Sequence, residues 1–203
     1  MRQPDRRSAL RWGAIALAGG LATSLAACSE DPSSIAAQAK AGDRKNYVSG
    51  DGTIERLAPD NRGAPVRLEG TTLEGEPWSM GSRAGTVLVV NVWGSWCPPC
   101  IAETPDLQRA WEQVQADGLD VEFIGLDKME SPATGLAFQK ANRVTYPSLA
   151  YDGGLPILAL QGKATATPTT LVLDRAGRIA ARVSGPVTTS TLTALVDDVL
   201  AEA

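Results

Sequence analysis

The run Thr86, Val87, Leu88, Val89, Val90, Asn91, Val92, Trp93 constrains the fold more than any other part of this 203-residue chain. It is β-branched and apolar without alternation, so both faces of the strand must be covered, as in a parallel or mixed sheet with helices laid over it. Residues 121–126 form a second run of this kind. Between them, residues 98–118 repeat apolar positions at helical spacing (Ile101, Leu107, Ala110, Trp111, Val114), with Pro105 predicting a kink or restart. A second helix is expected over 132–142, with Pro132 in its first turn, then a short strand at 148–151 and a short helix at 155–160. Residues 169–174 and 178–184 read as a hairpin, and 189–201 as an amphipathic helix on Leu192, Leu195, Val196, Val199 and Leu200. A leading hairpin is expected from 66–69 and 77–80, joined through Leu73, Glu74 and Gly75, while residues 47–63 carry turn signals. The order after the leading hairpin is β, α, β, α, β, β, α, an α/β sandwich ending in an antiparallel pair.

The chain contains three cysteines and no histidine. Imidazole catalysis, a Ser/His/Asp triad and any metal site needing a His ligand are thereby excluded, leaving thiols and carboxylates. A net charge of −4 argues against a nucleic-acid partner, which calls for a basic face. The length suits a single core.

Residues 1–27 have the layout of an export signal, with Arg2, Arg6, Arg7 and Arg11 ahead of a mostly apolar stretch from Trp12 to Ala27. That stretch is shorter than the ~20 apolar residues of a spanning helix, so a cleaved segment is expected. Leu25, Ala26, Ala27, Cys28 resembles the bacterial lipoprotein cleavage box, which implies that Cys28 is acylated. Arg6 and Arg7 resemble a twin-arginine signal, and both that route and the general Sec route fit. Cleavage before Cys28 takes the 19 basic and 23 acidic residues to 15 and 22, a net −7. Residues 28–63 read as the lipidated cysteine and a flexible tether, with a marginal helix possible at 35–41, and residues 64–203 as the folded domain.

The chemistry sits where the first buried run ends: Trp93, Gly94, Ser95, Trp96, Cys97, Pro98, Pro99, Cys100, then helix. Two intervening residues let both sulfurs meet across one helical turn. The first lies at the helix N-terminus, where free N–H groups and the helix dipole stabilise a thiolate. A thiol pKa falling from about 8.5 toward 7 raises the thiolate fraction at neutral pH from about 3% to about half, corresponding to about 2 kcal/mol. Cys97 is the expected nucleophile and Cys100, deeper in the helix and less exposed, the resolving thiol. Two blander readings stand beside this one: a zinc half-site, which lacks further ligands, and a structural disulfide, although such bonds usually close longer loops.

The segment from Val92 to Cys100 resembles the active site of the thioredoxin superfamily. With the lipoprotein-like start and leading hairpin, the chain is similar over residues 64–203 to the extracytoplasmic TlpA/ResA-type thiol-disulfide oxidoreductases, including those of cytochrome c maturation. The resemblance implies a thioredoxin-like α/β fold, with a central mixed β-sheet flanked by helices and an N-terminal β-hairpin. It implies a cis bond between Thr167 and Pro168, facing the sulfurs and leaving the preceding backbone for a substrate strand. Asn91 departs from the aspartate that thioredoxins carry six residues before the first cysteine, and an amide cannot serve as a base. Glu130 falls where the TlpA/ResA type places a glutamate, so burial is expected to raise its pKa for proton transfer with Cys100, with Asp127 the nearby competitor. Trp96, Pro98, Pro99, Thr167 and Pro168 are the expected substrate contacts, Trp93 and Trp111 core residues, and Glu103 and Asp106 solvated surface acids.

Pro98 and Pro99 supply no charge and remove two N–H donors from the Cys97 sulfur, which favours a reductant over a strong oxidant. The leading expectation is a lipid-anchored reductase outside the cell membrane, a monomer with no cofactor beyond the Cys97–Cys100 disulfide. The resemblance implies apocytochrome c or similar proteins as substrates and a CcdA-type membrane thiol transporter as electron donor. A thiol oxidase or disulfide isomerase is the alternative on the same chemistry. A metal carrier similar to the Sco-type copper chaperones is the alternative of another class, but this chain lacks their cysteine spacing and distal histidine. Gly94 stands where a peroxiredoxin would have Thr or Ser.

Overall fold

A computed structural model of the chain describes residues 50–202; the expected export signal, Cys28 and the first part of the expected tether lie outside the described residues. The first buried run is strand β4 (Val87–Trp93, after β1 Ile54–Arg56, β2 Glu69–Thr71 and β3 Pro77–Ser79), and all seven of its residues are buried. It leads into helix α1 (Pro98–Ala116), then β5 (Val121–Asp127), α2 (Pro132–Asn142), β6 (Ser148–Leu149), α3 (Leu155–Leu158), β7 (Thr169–Leu173), β8 (Ile179–Ser184) and α4 (Thr189–Leu200). Six strands form one sheet in the order β1-β8-β7-β4-β5-β6, and β2 and β3 form a separate hairpin. The pairs β4/β5 and β5/β6 are parallel, while β4/β7, β7/β8 and β1/β8 are antiparallel. This is the expected thioredoxin-like α/β fold.

Cover on both faces, helices on one and the β2–β3 hairpin on the other, explains why β4 lacks alternation. Val87 and Val89 point into one core with Leu107, Ala110 and Val114 of α1 and Leu192, Leu195, Val196 and Val199 of α4. Leu88, Val90 and Val92 point into a second core, with Ile124, Leu126, Leu171, Leu173, Leu149 and the hairpin's Trp78. Each such Val, Leu or Ile side chain contributes roughly 1.5–3 kcal/mol when fully buried, so the two cores hold β4 at the centre. No helix among the described residues is long and apolar enough to cross a membrane.

Three boundaries differ from the sequence expectation. The leading hairpin pairs Glu69–Thr71 with Pro77–Ser79, later in its first arm than expected, with Leu68 buried ahead of it. Pro105 neither ends nor restarts α1, which runs through it. Residues assigned to the tether belong to the fold: β1 adds an edge to β8, with Ile54 opposite Val183 and Arg56 opposite Ala181. Arg62 reinforces this edge, pairing at 2.9 Å with Asp174 of the β7–β8 turn and at 2.6 Å with Glu202. Three residues are too short to show a strand period, and their sheet partner is more than a hundred residues away.

Because Arg62 donates to two carboxylates, Arg62→Ala should lower the unfolding free energy by about 2 kcal/mol, the scale of hydrogen bonds to charged groups. A urea midpoint unchanged from wild type would show that the segment before residue 64 is a passive tether.

Candidate active site

Strand β4 ends at Trp93, and a turn of three residues delivers Cys97 to the start of α1. Gly94 is required in that turn, since a Cβ there would sit 2.5 Å from the Trp96 indole nitrogen. Cys97 is the N-cap of α1. Pro98 and Pro99 have no N–H, so the donor that reaches the Cys97 sulfur is Cys100 N, at 3.3 Å. Cys97 and Cys100 are joined as a disulfide with their Cα atoms 5.3 Å apart.

The two sulfurs are enclosed. Cys97 is 0% exposed and Cys100 1%, packed with Leu73 and Trp93 and flanked by Trp96, Leu136 and Phe138. The expectation that Cys97 is the more exposed therefore fails in this oxidised form. Thr167 closes over it, with its carbonyl oxygen 3.9 Å from Cys97 Sγ. The Thr167–Pro168 bond is cis, as expected, and both residues are buried. Of the other expected contacts, Pro98 is exposed, while Pro99 and Trp96 are half-buried.

Three loops meet here and are tied by polar contacts. Glu130 accepts from Ser95 N at 2.7 Å and also from the Ser95 hydroxyl, gripping the turn ahead of Cys97. Trp96 Nε1 donates to the carbonyl of Lys128 at 2.7 Å, and Lys128 Nζ donates to Thr167 Oγ1 at 3.0 Å. Burial alone lowers the Lys128 pKa from the ordinary lysine range. Met129, between Lys128 and Glu130, takes a left-handed φ of 57°, which turns its two neighbours toward these contacts. Asp127, at the end of β5, is 2% exposed and lies against Gly135, where a Cβ would come within 2.4 Å of its Oδ2.

Glu103 is the residue that sequence reasoning misplaced. It is not a solvated surface acid but 2% exposed, one helical turn after Cys100. Its carboxyl accepts from Asn91 Nδ2 at 2.9 Å and from Val187 N at 2.9 Å. Burial raises its pKa to about 8 against the opposing pull of those two donors, with Asp106 adding a smaller push upward. The signal was present in the sequence: Glu103 stands on the stripe Cys100, Glu103, Leu107, Ala110, Val114 that faces the core. Asn91, which departs from the thioredoxin aspartate, orients this carboxyl and also donates to Thr170 Oγ1 at 3.0 Å. Asp106, the other expected surface acid, accepts from Thr189 N and Thr189 Oγ1 at the start of α4, and these bonds hold its pKa down.

Among the described residues, no group of three or more Cys, Asp or Glu side chains is placed to hold a metal ion. What the arrangement can do is two-electron thiol chemistry, with a buried carboxyl one turn from the second sulfur.

A glutamate that titrates near 4.5 when unfolded and near 8 when folded favours the fold while protonated. Its contribution is complete below pH 4.5, declines as pH rises, and is gone above about 8. Glu103→Gln should remove that decline in urea-unfolding free energy measured across the interval; an identical slope in the variant would show that Glu103 ionises freely in the folded protein.

The Redoxin family model matches residues 55–199. The thiol:disulfide interchange protein HelX of Rhodobacter capsulatus is 33% identical over 136 residues, covering 67% of this chain and 73% of HelX. The thiol-disulfide oxidoreductase ResA of Bacillus cereus is 29% identical over 118 residues, covering 58% of this chain and 66% of ResA. Among solved structures, a secreted thiol-disulfide isomerase from Corynebacterium glutamicum superimposes with a TM-score of 0.66 at 29% identity, covering 74% of this chain and 96% of that one. With a Cys97–Cys100 pair in place on this fold, the chain belongs to the Redoxin family and is a thiol-disulfide oxidoreductase of the HelX and ResA type.

Proposed function

We propose that the protein reduces disulfides of other proteins outside the cell membrane, to which it is held by a lipid on Cys28. The observation that carries the exchange chemistry is the Cys97 sulfur capping α1, with Cys100 N pointing at it. In the reduced protein the Cys97 thiolate attacks one sulfur of the target disulfide, forming a mixed disulfide and releasing the first target thiolate. Cys100 then loses its proton and attacks Cys97 Sγ, which expels the second target thiolate and closes the Cys97–Cys100 bond. Two electrons pass to the target.

The proton of Cys100 needs an acceptor in a site that excludes water. Glu103, buried one turn away and poised near neutrality, suits that role. Glu130, expected to handle this proton, has both oxygens engaged by Ser95 and serves to hold the turn that carries Cys97. Trp96, Pro98, Pro99 and the Thr167–Pro168 segment form the substrate contact. Because Thr167 covers Cys97, the segment moves aside as a substrate docks.

The reducing direction is supported by the two prolines, which leave the sulfur one helix donor and so a moderately depressed pKa. Apocytochrome c is the substrate we favour, with a CcdA-type membrane thiol transporter restoring the dithiol; residues 1–28 support export by the Sec or twin-arginine route and a lipid anchor.

Cys100→Ser should accumulate mixed disulfides through Cys97 in cells and lose insulin reduction, and Cys28→Ser should leave the exported protein in the soluble fraction. A redox titration giving a potential well below −120 mV, the strong-oxidant end, is expected. A value at that end would reassign the protein as an oxidase.

A further inference from the structure

Lys128 sits in the loop between β5 and α2, and its placement is fixed from several sides. Its carbonyl receives Trp96 Nε1, the next residue takes a left-handed turn, and Glu130 beyond it grips Ser95. Its ammonium is thereby directed to Thr167 Oγ1, at 3.0 Å. The same threonine holds its carbonyl oxygen 3.9 Å from Cys97 Sγ, so one residue touches both the cation and the sulfur. Among the described residues, no carboxylate lies within 4.0 Å of Lys128 Nζ, and burial is the one influence on its titration.

The remaining charge around the pair is mostly negative. Helix α1 carries Glu103, whose raised pKa leaves it largely neutral near pH 7, and Asp106, which is paired with Arg109 of the same helix at 2.7 Å. Strand β5 and its loop present Asp127 and Glu130. Each carboxylate opposes ionisation of a nearby thiol. Beyond Thr167 the nearest cation along the chain, Lys163, is paired with Glu55 at 2.9 Å.

We infer that Lys128 is the charge-setting residue of the exchange reaction: its ammonium, held on Thr167, stabilises the Cys97 thiolate and so determines how readily the reduced protein begins an attack. The contacts through Thr167 keep the two charges within roughly 10 Å, and at an effective dielectric of about 20 a unit charge at that range moves a thiol by about one pKa unit. The inference rests on Cys97 being the attacking sulfur.

The test is the pH dependence of iodoacetamide alkylation of the reduced full-length chain, with the modified cysteine located by peptide mass. Lys128→Met should raise the Cys97 midpoint by about one unit and slow its alkylation about tenfold at pH values below both midpoints. Lys128→Gln, which keeps a donor for Thr167 without the charge, should do the same, and Lys128→Arg should restore the wild-type midpoint. A midpoint unmoved in Lys128→Gln, or as displaced in Lys128→Arg as in Lys128→Met, overturns the inference alone. Alkylation arriving first at Cys100 overturns the assignment of Cys97, and the inference with it.

Discussion

The site depends on strand β4 being buried along its whole length. A strand packed on both faces cannot slip or tilt without opening two cores, so its last residue, Trp93, is fixed in space. Trp93 Nε1 also donates to Ser148 Oγ at 3.1 Å across Gly125, where a Cβ would meet both groups. From that anchored end a short turn leads to the helix, and Cys97 falls at the one position where a side chain completes the helix's own hydrogen bonding. The placement of the sulfur is thus a property of the strand-to-helix junction.

In the proposed mechanism two tasks around that junction fall to two carboxyls. Glu103 is drawn into the core between Asn91 and Val187, where burial raises its pKa to about 8, so that its ionised form is a strong enough base to take the Cys100 proton without solvent. Glu130 is held at the rim by Ser95, where it fixes loop geometry. Asn91 fits this division: an aspartate there would face Glu103 with a second buried negative charge, whereas the amide donates a hydrogen bond and leaves one titrating group.

Much of this was legible in the sequence, and for definite reasons. The unbroken apolar run announced a strand covered on both sides, Cys97 and Cys100 announced a capped helix with paired sulfurs, and the resemblance supplied the cis Thr167–Pro168 bond that the fold contains. What stayed hidden depended on distant partners. Ile54–Arg56 is a strand because β8 stands beside it, and Arg62 matters because Asp174 and Glu202 converge on it. Glu103 was misread because acids are usually solvated, although its helical register placed it inside; the periodicity outweighed the residue type. The approach of Thr167 to Cys97 was expected from the resemblance, whereas the reach of Lys128 to Thr167 joins loops that no local pattern connects.

The central claim is that the helix start makes Cys97 an ionised nucleophile in the reduced protein. Carbon-13 labelling of the cysteine Cβ atoms, with the Cys97 resonance followed against pH by NMR, reads this at the atom concerned. The account predicts a midpoint clearly below about 8.5, the value of a free thiol. A midpoint at or above that value would contradict it.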